Sequence, residues 1–294
     1  MDFTVLVQTI LSGIATGAIY GLIGLGFSLT YRTTKIINFA QGDLVAFGAY
    51  ITLWGVSLQL PLVIAIIMAM IITGLRMGVV ERVALRPLYR YGVVYPIFAT
   101  VGLSIVIESA IRQIWGPLPE FIPSILSPNS FAIGPLLISP RDIGIFVVSL
   151  VVAIAVIAML DRTKLGRGMR TVAQDREVAA ILGISGDRLF FLAFVISGAL
   201  AALAGGLAGS ITGLNSTMGL ALGIAGFTAA VLGGLGNAPG ALLGGIVLSV
   251  AENLVVVYLT PSYRDAVAYG LLIVMLLIRP EGLFGEETSA VRQI

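Results

Sequence analysis

Long apolar stretches, separated by short charged or proline-containing segments, make up most of the chain. Each stretch is close to the roughly 20 residues that an α-helix needs to cross a bilayer. The pattern predicts nine membrane-spanning segments, at about residues 5–30, 37–56, 62–80, 93–111, 143–160, 189–212, 219–235, 240–259 and 265–279. We therefore expect an all-α polytopic membrane protein with about eight or nine transmembrane helices, in a single domain over residues 1–294.

Two segments interrupt this pattern. Tyr31–Asp43 reads YRTTKIINFAQGD, which is too polar for contact with lipid, and Gly233–Gly240 is rich in glycine. Irregular backbone at membrane depth is tolerated only where protein or water surrounds it. Both segments are therefore candidates for broken or re-entrant helices.

Glycine recurs at every fourth position in three places, which are Gly13–Gly17–Gly21, Gly205–Gly209–Gly213 and Gly236–Gly240–Gly244. Small residues at this spacing let two membrane helices approach closely. Close packing of a bundle is the main interpretation. A role as pivots in a moving pathway is the alternative.

The composition supports a membrane protein, because 58% of the residues are hydrophobic and only 11% are charged. In soluble domains about a quarter of the residues are charged, so this chain has too few charged residues to cover a water-facing surface. It contains no cysteine and no histidine. Disulfides, thiolate metal sites and catalysis by Cys or His are thereby excluded, and we expect no bound metal.

Lysine and arginine predict the orientation. With nine spans and the amino terminus outside, 14 of the 17 basic residues, including Arg292, fall on the cytoplasmic side. The other three are Arg112, Arg141 and Arg264. Cytoplasmic loops of membrane proteins are enriched in basic residues, so the carboxyl terminus is predicted to be cytoplasmic. The net charge of +2 follows from this arrangement, and we expect a lipid bilayer and no nucleic acid as a partner.

The longest charged segment, residues 161–188, lies midway along the chain. Lys164–Gly168 is predicted to form a turn, and Thr171–Leu182 a short surface helix that ends at Gly183. Its exposed face would carry Asp175, Arg176 and Glu177. Its inner side would carry Val172, Val178, Ala179 and Leu182.

Within this segment, Glu177–Gly183 (EVAAILG) resembles the cytoplasmic EAA loop of ABC importer permeases. Five longer stretches resemble the LivH-type permeases of branched-chain amino acid ABC transporters, in the same order and over nearly the whole chain. They are TTKIINFAQGDLVAFGAY (33–50), ERVALRPLY (81–89), LGRGMRTVAQDREVAAILGI (165–184), FTAAVLGGLGNAPGALLGG (227–245) and LLIVMLLIRPEGLFG (271–285).

The resemblance implies a transport subunit that works with other chains. These are a second, LivM-type permease, two nucleotide-binding ATPase subunits and an extracytoplasmic solute-binding protein, in a bacterial or archaeal cytoplasmic membrane. The sequence contains no GxxxxGK[ST] loop for phosphates. We therefore expect no enzymatic activity and no cofactor on this chain, with ATP and Mg held by the partners. The resemblance implies a coupling role toward the ATPases for Gly166, Arg167, Gly168, Arg170, Asp175, Arg176, Glu177, Ala180 and Gly183.

Polar residues within or beside the spans are candidates for the substrate path, because polar groups in a membrane are costly. Asn38, Gln41 and Asp43 would line the path, cap a broken helix or be solvated at the membrane interface. Asn215, Ser216 and Thr217 would meet incoming substrate or form an outer turn. Glu252 with Asn253 would line the path or form an interhelical hydrogen bond, for example to an Arg of the partner permease. Glu108 is expected to pair with Arg112, four residues later.

Branched-chain amino acids are the expected substrates, with urea, short amides or small organic acids as an alternative for the same kind of importer. An ion-coupled secondary transporter would need a cluster of carboxylates, whereas Asp43, Glu108 and Glu252 are far apart in sequence. A passive channel would have no use for the charged segment 161–188. These two classes remain the competing hypotheses.

Overall fold

The computed structural model describes residues 3–123, 130–134 and 136–285, and helices make up most of it. Arg292 lies outside the described residues. The helices are α1 (Phe3–Thr34), α2 (Gln41–Ser57), α3 (Leu62–Val80), α4 (Val94–Trp115), α5 (Pro140–Arg162), α6 (Lys164–Gln174), α7 (Arg176–Ile181), α8 (Gly186–Thr212), α9 (Met218–Gly233), α10 (Ala238–Tyr258) and α11 (Arg264–Ile278). A π-helical turn (Glu81–Leu85) and two 3₁₀ turns (Arg86–Tyr91, Pro261–Tyr263) extend the helices, and β1 (Phe131–Ile133) pairs with β2 (Leu136–Ile138) in an antiparallel hairpin.

Each of the nine predicted apolar segments is mainly helical. Among the described residues, seven helical segments are long and apolar enough to cross a membrane: Thr4–Thr34, Leu62–Tyr91, Val94–Trp115, Pro140–Arg162, Gly186–Thr212, Ala238–Tyr258 and Pro261–Ile278. The other two, α2 and α9, have 17 and 16 residues. At about 1.5 Å per residue they measure about 25 Å, less than the roughly 30 Å of hydrocarbon. The prediction of an all-α polytopic membrane protein is confirmed.

The bundle has two opposite ends, which two contacts of α1 identify. At one end, Arg32 in the last turn of α1 pairs with Asp161 near the end of α5, beside α6. We call this the α6–α7 end. At the other, the side-chain amide of Gln8 in α1 donates to the carbonyl of Leu137 in β2 and accepts from its N–H. We call this the hairpin end.

The chain between α1 and α2 turns back into the bundle. Gln41, the first residue of α2, donates from Nε2 to the carbonyl oxygen of Ser197 at 3.3 Å. Ser197 lies eleven residues after Gly186, the start of α8, or about 16 Å from the α6–α7 end. Residues 35–40 therefore run inward and α2 begins inside the bundle. The predicted break in the first polar segment is confirmed.

The second interruption is a short turn instead of a broken helix. α9 ends at Gly233 and α10 begins four residues after Gly234, with Oδ1 of Asn237 accepting from the backbone N–H of Gly240 at 2.9 Å. Gly234 and Gly236 have φ of 94° and 92°, a conformation that favours glycine. The glycines there make a tight connection at the α6–α7 end.

Glycines bring α1 and α10 into backbone contact. A Cβ added at Gly17 would lie 2.6 Å from the Cα of Ile246, and one at Gly21 would lie 2.9 Å from the Cα of Leu242. Gly13 faces Val250 in the same way. The first glycine triplet therefore packs two antiparallel helices, and the packing interpretation is confirmed for it.

Candidate functional site

Residues 161–188 form two short helices, and the prediction of one helix over Thr171–Leu182 was wrong. α6 occupies Lys164–Gly168, the predicted turn, and continues to Gln174. The hydroxyl of Thr163 accepts from the N–H of Gly166 at 3.3 Å and caps this helix. A Cβ at Gly166 would lie 1.9 Å from the carbonyl oxygen of Leu160, so glycine lets α6 turn closely away from α5.

Asp175 separates the two helices. It is extended, and its Oδ1 accepts from the N–H groups of Glu177 and Val178 at 2.8 and 3.0 Å. Aspartate is among the preferred N-caps, which explains why a new helix begins here. α7 ends at Ile181 and Gly183 follows with φ of 75°, so the predicted end of the helix is confirmed.

The break turns apolar side chains of α7 outward. Val172 and Ala179 are buried as predicted, but Val178 is exposed, and Ile181 and Leu182 are 84% and 65% exposed. The prediction that Val178 and Leu182 face inward was therefore wrong. A cluster of apolar side chains outside the apolar spans is typical of a protein-binding surface. We call Val178, Ile181 and Leu182 the α7 patch.

Ion pairs join α7 to the ends of the long helices. Arg176 donates to Asp187 at 2.5 Å, and Asp187 also lies 3.6 Å from Arg86. Arg86 donates from Nη2 and Nε to both carboxylate oxygens of Glu81, at 2.8 and 3.3 Å. The side chain of Glu81 is fully buried. A movement of α7 would therefore reach α8 and the π-helical turn after α3 through a continuous set of charged contacts.

A second set of ion pairs contacts α6. Asp161 lies 3.4 Å from Arg170 and 3.7 Å from Arg32, and these side chains are partly exposed. Of the residues implied to couple to ATPases, Gly166 and Gly168 are buried and Arg170 is half-buried. The others lie on the exposed surface: Arg167, Asp175, Arg176, Glu177, Ala180 and Gly183.

Asn38 and Gln41 brace the start of α2. Oδ1 of Asn38 accepts from the N–H of Ala40 at 3.2 Å, and its Nδ2 donates to Gln41 at 3.4 Å. The hydroxyl of Ser197 donates to Oε1 of Gln41 at 2.8 Å. Both amide side chains are fully buried. These bonds hold the turn before α2 in place, but no side chain caps the helix itself, and a role in the substrate path stays a prediction.

Asp43 lies where α2, α4 and α9 meet. It accepts a hydrogen bond from Ser104 of α4, and a Cβ at Gly219 in α9 would lie 2.5 Å from its Oδ1. A carboxylate in the first turn of a helix is stabilised by the helix dipole, and here the first turns of both α2 and α9 adjoin it. The hydrogen bond from Ser104 joins Asp43 to α4.

Asn215, Ser216 and Thr217 form a turn before α9. Oδ1 of Asn215 accepts from the N–H and hydroxyl of Thr217, at 3.1 and 2.9 Å. Asn215 and Thr217 are exposed and Ser216 is buried. The preceding Leu214 pairs with the backbone of Glu120, so this turn leads inward from the hairpin end.

Glu252 is paired within the chain. Tyr20 and Arg264 both donate to its Oε2, each at 3.0 Å, and Arg264 donates to the Tyr20 hydroxyl at 3.1 Å. The predicted interhelical bond is therefore confirmed, but its arginine belongs to α11 of this chain. Asn253 is half-buried and faces Gly13 in α1. These contacts connect α1, α10 and α11.

The predicted pair between Glu108 and Arg112 is present at 2.8 Å. The structure also shows that both belong to an exposed polar face of α4, which the sequence prediction does not include. The sequence pattern that could have revealed this face is the occurrence of Ser104, Glu108 and Arg112 at successive fourth positions. Among the described residues, no group of three acidic side chains is placed to hold a metal ion.

Comparisons with known proteins agree with this architecture. The family described as "Branched-chain amino acid transport system / permease component" matches residues 9–276. The chain is 36% identical to the high-affinity branched-chain amino acid transport system permease protein BraD of Pseudomonas aeruginosa, over 95% of each chain. It is 33% identical to the permease protein LivH of Salmonella typhimurium, over 97% of each.

A partial similarity extends to a second kind of permease. The permease protein LivM of Escherichia coli is 33% identical over 150 residues, which are 49% of this chain and 35% of LivM. No solved structure matches the chain. On the full-length matches and the seven apolar helices, the chain is a multi-pass membrane protein that belongs to the family of permease components of branched-chain amino acid transport systems.

Proposed function

We propose that this permease carries branched-chain amino acids into the cell as one subunit of an ATP-driven importer. The observation that supports the proposal most strongly is the full-length similarity to BraD and LivH, which are both named as permease proteins of branched-chain amino acid transport systems. Leucine, isoleucine and valine combine a charged head group with an apolar side chain, which suits a route with few polar groups among apolar ones. Urea, short amides and small organic acids are the alternative substrates.

In this proposal the α6–α7 end is cytoplasmic and the hairpin end is outside, with the amino terminus outside and the carboxyl terminus in the cytoplasm. The predicted excess of basic residues on one side supports this orientation. Two ATPase subunits hold ATP and Mg, and one of them docks on the α7 patch. The chain itself binds no cofactor and hydrolyses nothing.

A second permease completes the path, and the partial similarity to LivM supports a related chain in that position. An extracytoplasmic solute-binding protein delivers substrate at the hairpin end, where Asn215 and Thr217 are exposed. The complex lies in a bacterial or archaeal cytoplasmic membrane. Of the candidate path residues, Asp43 is proposed to meet substrate, whereas Asn38 and Gln41 hold α2 in position and Glu252 and Asn253 join helices.

ATP-driven closure of the ATPase subunits would displace α7. The contacts of Arg176 with Asp187, and of Asp187 with Arg86, give that displacement a physical connection to α8 and α3. Rocking of these helices would then open the path alternately to each side. Asp161, which contacts α1 and α6, provides a parallel connection.

Reconstitution of the complex in proteoliposomes tests the proposal. We expect uptake of leucine, isoleucine and valine, but not urea, to require ATP, both permeases and the binding protein. Gly183→Pro should preserve ATP hydrolysis and abolish uptake, because Gly183 has φ of 75° and its N–H donates to Ala180. Uptake by this chain alone without ATP would instead favour a secondary transporter or a channel.

A further inference from the structure

The half of α4 nearest the hairpin end exposes polar side chains in a segment of membrane-spanning length. Ile105, Glu108, Ser109, Arg112 and Gln113 line an open depression of about 340 Å³ on the surface of this helix. Towards the α6–α7 end, the exposed side chains of α4 are apolar and include Val94, Phe98 and Val101. The charged side chains of α4, Glu108 and Arg112, therefore both lie in the half nearest the hairpin end.

This polar face continues inward to Asp43. Ser104 stands one turn before Glu108 and donates to the carboxylate of Asp43, which in turn packs on Gly219 at the start of α9. From Ser104 to the end of α4 at Trp115 is eleven residues, or about 16 Å. Polar groups thus extend from the hairpin end to the first turns of the two short helices.

A charged pair on a lipid-facing surface would be costly. Charged residues in transmembrane helices therefore face protein or a water-filled cavity. Glu108 and Arg112 pair with each other but stay partly exposed. A side of α4 that carries such a pair needs water or a partner next to it.

We infer that Glu108 and Arg112 line the outer half of the translocation path and bind the zwitterionic head group of the amino acid, with Asp43 at the inner end. This inference rests on the proposed function and deepens it. A substrate carboxylate can replace Glu108 on the guanidinium of Arg112, and the substrate ammonium can bind Glu108. The ammonium then meets the carboxylate of Asp43 further in.

Cysteine labelling tests whether the polar face of α4 is accessible to water. The chain has no cysteine of its own, so each introduced thiol is unique within it. Ile105 and Val106 are neighbours and are 62% and 60% exposed, but of the two only Ile105 lines the depression. In the complex assembled with Cys-free partners, we expect a membrane-impermeant, cationic methanethiosulfonate added outside to label Ile105→Cys at least about ten-fold faster than Val106→Cys, since an apolar environment suppresses the reactive thiolate.

A transport measurement tests the head-group assignment. Arg112→Gln should lower leucine uptake per ATP hydrolysed by about ten-fold, because a hydrogen bond to a charged group is lost, while Arg112→Lys retains part of it. Assembly of the complex should not change, because the side chain of Arg112 is more than half exposed.

Equal labelling of the two cysteines in a complex that imports leucine would overturn this inference and leave the proposed function intact. Unchanged uptake per ATP in Arg112→Gln would overturn the head-group role. Rapid labelling of Ile105→Cys without any leucine uptake would overturn both the proposed function and the amino acid as occupant.

Discussion

Along the α1–α10 interface, glycines bring two helix backbones together, whereas at the α6–α7 end charged side chains hold two short helices against the ends of longer ones. The first region is buried and includes one ionic cluster, Tyr20–Glu252–Arg264. In the second, Arg176, Asp187 and Asp161 are partly exposed. The same chain therefore contains a tightly packed interface and a surface where exposed ion pairs add to the burial of Val172 and Ala179.

The difference separates two roles. Backbone contact leaves no room for a side chain, so the α1–α10 interface should move as one body. Exposed ion pairs are weak and are screened by salt, so α6 and α7 can shift without loss of the fold. We therefore expect substitutions in the first region to lower stability, and those in the second to lower coupling to partners.

Gly17→Val should have the largest effect. Its Cβ would lie 2.6 Å from the Cα of Ile246, and overpacking against backbone costs about 3 kcal/mol or more where neither helix can give way. We expect little folded protein in the membrane, measured by size-exclusion chromatography in detergent. Gly270→Val is the matched control, since a Cβ there meets nothing within 4 Å. Equal yields of the two variants would contradict close packing of α1 on α10.

Glu252→Ala should have an intermediate effect, because it leaves Tyr20 and Arg264 without their shared acceptor. We expect a loss of about 2 kcal/mol, seen as a lower unfolding temperature in detergent. Glu120→Ala, at an exposed position near the hairpin end, is the control and should leave this temperature unchanged. If both variants have the same unfolding temperature as the wild type, the ionic cluster does not stabilise the bundle.

Arg170→Ala should have the smallest effect on stability. Its pair with Asp161 is 3.4 Å long and partly exposed, and such pairs contribute about 0.5 kcal/mol or less. The unfolding temperature should stay within error of the wild type. ATP-driven uptake should fall, because one of the contacts between α6 and α5 is lost. A large drop in stability would place Arg170 with the packed core.

The spans and the α1–α10 packing could be predicted from the sequence because hydrophobic length and glycine spacing are local properties. The ion pair between Glu108 and Arg112 could be predicted for the same reason, since the two residues are one helical turn apart. Local pattern also indicated that Tyr31–Asp43 could not form a continuous lipid-facing helix.

The features that the sequence analysis missed have two causes, a local helix cap that it did not recognise and contacts between residues on different helices. Val178 and Leu182 fit the inner side of one continuous helix, but capping by Asp175 starts a new helix and turns them outward. Arg264 was expected in an outer loop, and nothing in its neighbourhood indicates a bond to Glu252, twelve residues earlier and on another helix. The polar face of α4 has meaning only once Asp43 is seen beside Ser104.

Binding of the ATPase subunits to the α7 patch tests the central claim most directly. The two permeases in nanodiscs would be titrated with the ATPase subunits, comparing the wild type with Ile181→Asp and with Ile181→Val as the apolar control. Ile181 is 84% exposed, so the charge should cost no stability. It should weaken binding by about ten-fold or more, because a carboxylate would be desolvated in the interface, while Ile181→Val binds almost normally. Equal binding of all three would contradict docking at α7.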